Sequence, residues 1–379
     1  MAIKIKTQIG YAFLIFTLSI VQNCSWLRVN KLTSKMIFST PIDKSENNLN
    51  IPNQSGLYYE IPSTIGIVND WYIVSEPSAK KIKIFKENKL SVIIKSDTIK
   101  NEKINAPADS SVKVITNHYL NIPGMITGGQ DDDFYVVSFS PTDSESTYST
   151  QNLNSTGIYK ILHFDVKGNF LQFIGRHSQI EMPFEKIVWM DVDENNHLWV
   201  SHRSFGELYL DKYNNGQEME SVDEKLCTAT LFPPEKIDPK HLYTCEILYP
   251  FYDGRTVLMV GRVDEVPEEK SKSGNYIFLY RKYITYDLKD KSSEEIFGKI
   301  TDPESYPYIP YNDHILIWRT VSSNRVKLAV YNDSGNLINN LQIDFFGKRS
   351  NWRSTYVTLT GNTYSIRVFN NALELYQWN

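Results

Sequence analysis

Ile187-Val188-Trp189-Met190, Asp191-Val192-Asp193-Glu194-Asn195-Asn196 and His197-Leu198-Trp199-Val200 form the stretch whose reading decides the fold. Two short apolar runs flank a turn rich in Asp and Asn, residue types whose side chains bond their own backbone and tolerate tight reversals. A polar break, Ser201 to Phe205, leads to a third run, Leu208-Tyr209-Leu210, and then to Asn214-Asn215-Gly216. Strand, Asx turn, strand, loop, strand and Gly turn in that order make an antiparallel meander.

The same grammar recurs along the chain at a spacing of about 45 to 60 residues, as expected of a repeat architecture. One copy has Ile65 to Val68, Asn69-Asp70, Trp71 to Val74 and Lys81 to Phe85. A second has Ile122 to Ile126, Gly128 to Asp133, Phe134 to Val137 and Ile158 to Phe164. A fourth has Cys245 to Tyr249, Asp253-Gly254, Val257 to Val260 and Tyr276 to Tyr280. A fifth has Tyr308 to Pro310, Asn312-Asp313, Ile315 to Trp318 and Val326 to Tyr331. The sixth ends the chain with Tyr356 to Leu359, Gly361-Asn362, Tyr364 to Ile366 and Ala372 to Trp378. Such meanders cannot each bury their apolar faces alone, so the expected fold is all-β: a β-propeller of six four-stranded antiparallel blades. The sixth copy stops after three strands, and an N-terminal strand is expected to complete it, because a closed ring leaves no edge. Met36 to Ser39 or Leu57 to Ile61 is the candidate.

Aromatic residues make up 13% of the chain, with 24 Tyr and 18 Phe, which suits half-buried sheet surfaces. The net charge of −4 lacks the basic field of a nucleic-acid surface, so no nucleic-acid partner is expected. Lys80, Lys81 and Lys83, set among Ile residues, read as the solvated face of a strand.

At the N-terminus, Lys4 and Lys6 precede an apolar run, Ile9 to Val21, too short for the roughly 20 residues that span a bilayer but suited to a signal segment. It ends at Ile20-Val21-Gln22-Asn23-Cys24-Ser25, which resembles a bacterial lipobox, with Asn23 in the place usually held by a small residue, as in spirochaetal lipoproteins. That resemblance implies a signal peptide over 1–23 and a lipid on Cys24, holding the protein to a membrane of the bacterial envelope. Residues 24–56 then read as a polar tether and 57–379 as the propeller domain. The remaining cysteines, Cys227 and Cys245, suit either a disulfide or two buried thiols.

Phe164-Asp165-Val166-Lys167-Gly168-Asn169-Phe170-Leu171, followed by Phe173-Ile174-Gly175-Arg176 and Pro183-Phe184, resembles the NHL repeat of six-bladed propellers. With the lipobox, the whole chain is similar to spirochaetal propeller lipoproteins of undefined function.

Asp191, Asp193 and Asn195 alternate like the first ligands of a calcium loop, but that loop's Gly and Glu places hold Asn196 and His202, so the segment reads as a β-turn. Asp131-Asp132-Asp133 likewise reads as a turn, and His197 and His202 lack a metal-binding spacing. No metal or cofactor is expected. Four copies place an arginine at or just past the end of the second strand: Arg203, Arg262, Arg319 and Arg367. Guanidinium forks on one face make a candidate anion-binding or docking ring. Two insertions, Pro141 to Gly157 and Asp264 to Gly274, fall on the same side. The expected function is a binding or scaffold module for a protein or glycan. The alternative is an envelope hydrolase or lyase acting on a sugar or lactone at the central channel.

Overall fold

The computed structural model describes residues 29–42, 49, 64–97, 111–141, 157–175, 184–266, 276–307, 314–322, 324–332, 334–346 and 352–379. Six small sheets form a ring, each an up-and-down meander whose first strand lies innermost. Blade 1 is Gly66–Val68, Trp71–Glu76, Lys81–Lys86 and Lys89–Ser96; blade 2 is Ile122–Gly128, Asp133–Pro141, Gly157–Asp165 and Phe170–Ile174. Blade 3 is Lys186–Val192, Leu198–Ser204, Glu207–Asn214 and Gln217–Asp223; blade 4 is His241–Pro250, Thr256–Glu265, Ile277–Asp287 and Ser292–Ile300. Blade 5 is Ser305–Pro307, His314–Ser322, Arg325–Asn332 and Leu337–Asp344. Blade 6 is Trp352–Val357, Thr363–Phe369 and Ala372–Trp378, completed by Ser34–Pro41.

Strand alternation sends successive side chains to opposite neighbours, so each blade contributes to two cores. In blade 3, Leu198 and Val200 pack towards blade 2, while Trp199 packs towards blade 4. Six interfaces follow, and the one between blades 6 and 1 seals the ring with Phe38, Val74, Phe85, Ile366 and Leu375. Gly168, at φ +82°, sits in the turn quoted above, and a Cβ there would press on Ile115 and Val92 of blade 1.

The closing strand is the Met36–Ser39 candidate: Ser34 pairs with Trp378 and Pro41 with Ala372, antiparallel. The alternative at Leu57–Ile61 lies outside the described residues, as do Cys24 and most of both insertions. The strand also moves a boundary. Ser34–Pro41, assigned to the tether, is part of the folded ring, because ring closure requires a fourth strand in blade 6. Two further strands were not anticipated. Lys113–Asn117 adds to blade 1 and Asn30–Lys31 to blade 5, both parallel to the outermost strand.

The chain between blades 3 and 4 folds into a helix, Glu224–Leu231, capped by the Asp223 carboxylate, which accepts from Leu226 N. Its Cys227 is joined by a disulfide to Cys245 of blade 4, with Cα atoms 6.0 Å apart. Lys81 and Lys83 are buried rather than solvated. The face they occupy turns towards blade 6, and Lys83 pairs there with the equally buried Glu76 at 3.3 Å.

Candidate functional site

A cavity of about 650 Å³ occupies the middle of the ring. The innermost strands of blades 1, 2, 3, 4 and 6 and the turns after them line it. Aromatic surface comes from Trp189, Tyr249 and Tyr252, and hydroxyl and amide groups from Thr360, Asn362 and Gln130. Trp189 and Tyr249 meet edge to face, with ring centroids 5.6 Å apart. Burial pushes the Tyr249 hydroxyl up to about 12, with the Glu246 carboxylate adding to it, so it stays a neutral donor at physiological pH.

Asp191 is the single charged residue of the lining among the described residues. Its Oδ1 accepts from the Thr127 hydroxyl of blade 2 at 2.8 Å and from Val192 N at 2.9 Å. Its Oδ2 accepts from Leu359 N of blade 6 at 2.9 Å. Blades 3 and 6 stand opposite one another in a ring of six, so this carboxylate ties the ring across its axis. Burial raises its pKa, opposed by these three donors.

The turn beyond Asp191 is the β-turn the sequence indicates. Asp193 is fully buried and accepts from Asn195 N at 2.9 Å, His197 N at 3.0 Å and Trp199 Nε1 at 3.0 Å. Lys212 Nζ stands 3.8 Å from the same carboxylate. Asp133, the last of the acidic triplet, opens a strand and holds His163 at 2.6 Å. His202 bonds Asp211 at 2.7 Å, a pairing within blade 3. Among the described residues, no three His, Cys, Asp or Glu side chains gather closely enough to hold a metal ion.

The four arginines stand on one face, called here the upper face, where the innermost strands begin: Arg203 pairs in register with Lys186, Arg319 with Ser305 and Arg367 with Trp352. They do not converge on a shared rim. Arg262 grips Asp264 at 2.9 Å, Arg319 lies 3.3 Å from Asp302, and Arg367 stacks on Phe346 and Phe369 at 4.7 and 4.0 Å. Arg203 donates to Gly206 O at 3.2 Å, in its own hairpin. Alternation explains the divergence: Arg262 points from blade 4 towards blade 5, whereas Arg319 points from blade 5 back towards blade 4. Sequence reasoning missed Arg281, buried and bidentate on Glu246 at 2.6 and 3.0 Å, because a third-strand arginine carries no repeat signal.

No protein-family model matches the chain, and no curated protein matches it. Solved structures do match. Virginiamycin B lyase from Staphylococcus aureus is similar at 9% identity over 91% of this chain and 99% of that one, with a TM-score of 0.40. A gluconolactonase from Xanthomonas campestris is similar at 9% over 90% and 97%, with a TM-score of 0.40. A glucose dehydrogenase is similar at 8% over 91% and 98%, with a TM-score of 0.41. At these values the likenesses carry no argument about activity; the propeller assignment rests on strand order and on the six interfaces.

Proposed function

We propose that this protein is a binding module of the bacterial envelope, anchored through a lipid on Cys24, whose central cavity takes a neutral, hydroxyl-rich ligand such as a glycan segment. One observation carries the reading: the cavity sets aromatic faces beside hydroxyls and amides, and the one charge its described residues bring, Asp191, is already occupied by three donors. A sugar ring presents an apolar face that stacks on Trp or Tyr and a rim of hydroxyls that exchange hydrogen bonds with Thr, Asn and Gln. A charged ligand would enter such a lining without a counter-ion and lose its hydration. The arginines support a secondary role at most, since Arg262 and Arg319 already hold carboxylates.

Titration of the protein with a panel of neutral and anionic oligosaccharides, read by tryptophan fluorescence and calorimetry, tests this. Saturable binding of a neutral oligosaccharide is expected, with affinity lost in Trp189→Ala and Tyr252→Ala. Binding confined to anionic sugars, or binding indifferent to both substitutions, would refute it. Recovery of a cleaved or rearranged sugar would favour the hydrolase or lyase alternative.

A further inference from the structure

The polar side chains that line the central cavity divide into two groups. One group is committed to the protein itself. Thr127 donates to Asp191, and Gln130 Nε2 donates to Asp193 O at 2.7 Å. On the blade 6 turn, Gln377 donates to Asn362 Oδ1 at 3.0 Å and Asn362 donates to Thr360 Oγ1 at 3.1 Å. The other group is uncommitted. Trp189 Nε1 and the hydroxyls of Tyr249, Tyr252 and Tyr364 make no hydrogen bond among the described residues, although all four side chains line the cavity.

The chemistry of the second group is one-sided. An indole N–H can only donate, and a phenol donates for as long as it stays neutral. Burial raises the Tyr249 and Tyr364 hydroxyls, each to about 12. Burial, with the Glu194, Asp191 and Asp193 carboxylates adding to it, raises that of Tyr252. All three therefore keep their protons at physiological pH. The Asp191 charge acts on both Tyr252 and Tyr364, so these hydroxyls approach the charged wall of the cavity from blades 4 and 6. The channel-facing backbone adds N–H and C=O groups alike and leaves the balance unchanged.

An apolar feature stands beside these donors. The pairing of the innermost strand of blade 3 slips between Ile187 and Trp189, which makes Val188 the extra residue of a β-bulge. Bulges re-aim single side chains. Val188 lines the cavity with Met125 of the neighbouring blade and is 44% exposed, although it stands within the ring.

We propose that the cavity takes a saccharide bearing acetamido groups, whose carbonyls accept from the uncommitted indole and phenol donors and whose methyls cover Val188 and Met125. A sugar hydroxyl must find an acceptor for its own proton, whereas a carbonyl oxygen only accepts. An acetamido group joins such an oxygen to a methyl, matching a lining of spare donors and uncovered apolar surface. This rests on the glycan reading above, and the test separates the two.

The full chain is titrated calorimetrically with diacetylchitobiose and with cellobiose, disaccharides that differ by an acetamido group in place of one hydroxyl on each ring. Diacetylchitobiose is expected to bind about tenfold more tightly, the worth of one or two added hydrogen bonds. The same pair is measured on a variant combining Tyr249→Phe, Tyr252→Phe and Tyr364→Phe, which keeps the rings and, since these hydroxyls hold no protein partner, leaves no group unpaired. There the two affinities are expected to become equal. Cellobiose binding as tightly as diacetylchitobiose or more so, or a preference that survives the loss of the three hydroxyls, overturns the inference. Binding of neither disaccharide while another neutral oligosaccharide binds also overturns it and leaves the glycan reading standing. No binding of any neutral sugar removes both.

Discussion

The two faces of the disc are held by different physics. On the lower face, side chains from one turn bond the next: Asn69 Nδ2 donates to Asp132 at 2.9 Å, Asn196 Nδ2 to Asp131 at 3.1 Å, and Lys212 Nζ to Gly254 O at 2.7 Å. These bonds run from blade 1 to blade 4, and Asp191 extends them across the axis to blade 6. The upper face instead shows arginines paired within or between blades, with aromatic side chains standing out into solvent. Polar turns that satisfy each other tie neighbouring blades together, whereas apolar tips such as Phe205 contribute no such bond. Interlocked polar turns and exposed apolar tips are thus divided between opposite sides of one ring.

The strongest way to break this division is to remove the buried carboxylate that organises the lower face. Asp193→Ala leaves Trp199 Nε1 and two backbone N–H groups without that acceptor, and the nearby Lys212 without its counter-charge. Breaking a buried charge arrangement from one side costs about 3–5 kcal/mol. A matching fall in the denaturation midpoint is expected by urea unfolding, and a change below 1 kcal/mol, at about the level of an ordinary surface substitution, would show that the turn network does not carry the lower face.

Asp191→Asn is expected to cost less, about 1–3 kcal/mol, because an amide can still accept from Thr127 but turns a donor towards Leu359 N. Its pH dependence sharpens the comparison. Burial raises the folded-state pKa of Asp191 above its ordinary value of 3.8, so the native state binds the proton more tightly than the unfolded chain. The stability this group contributes is complete below that ordinary value and declines as pH rises through the folded pKa. Unfolding of both proteins across the acid-to-neutral range should therefore show the gap between them widest at acid pH and narrowing upward. A gap that widens with pH would reverse the assignment.

How far these features were legible depends on the range over which they act. The six meanders could be read because alternation and turn residues are local, and Phe38 marks the closing strand because it keeps that alternation. The cross-ring role of Asp191 could not be read, since Thr127 and Leu359 lie 64 and 168 positions away. Lys83 misleads for a related reason. Ile and Lys in alternation usually mean one wet face, but a propeller blade is packed on both faces, and Glu76 supplies the missing counter-charge. The arginines were placed on the correct face by strand order alone. Whether they converge depended on which neighbour each one faces, and on acidic partners that no repeat pattern marks.

The smallest expected effect has the opposite sign. Phe205→Asn should stabilise the protein, because Asn accepts a positive φ more readily than Phe and a two-residue Asn-Gly turn suits a hairpin better. The gain is of the order of 1 kcal/mol, comparable to other relief of turn strain. An upper-face tip that becomes more stable when its aromatic ring is removed is one retained for something other than folding. If the substitution instead destabilises the hairpin, Phe205 has a packing role in the fold, and the contrast between a lower face of interlocked turns and an upper face of exposed tips fails at its clearest point.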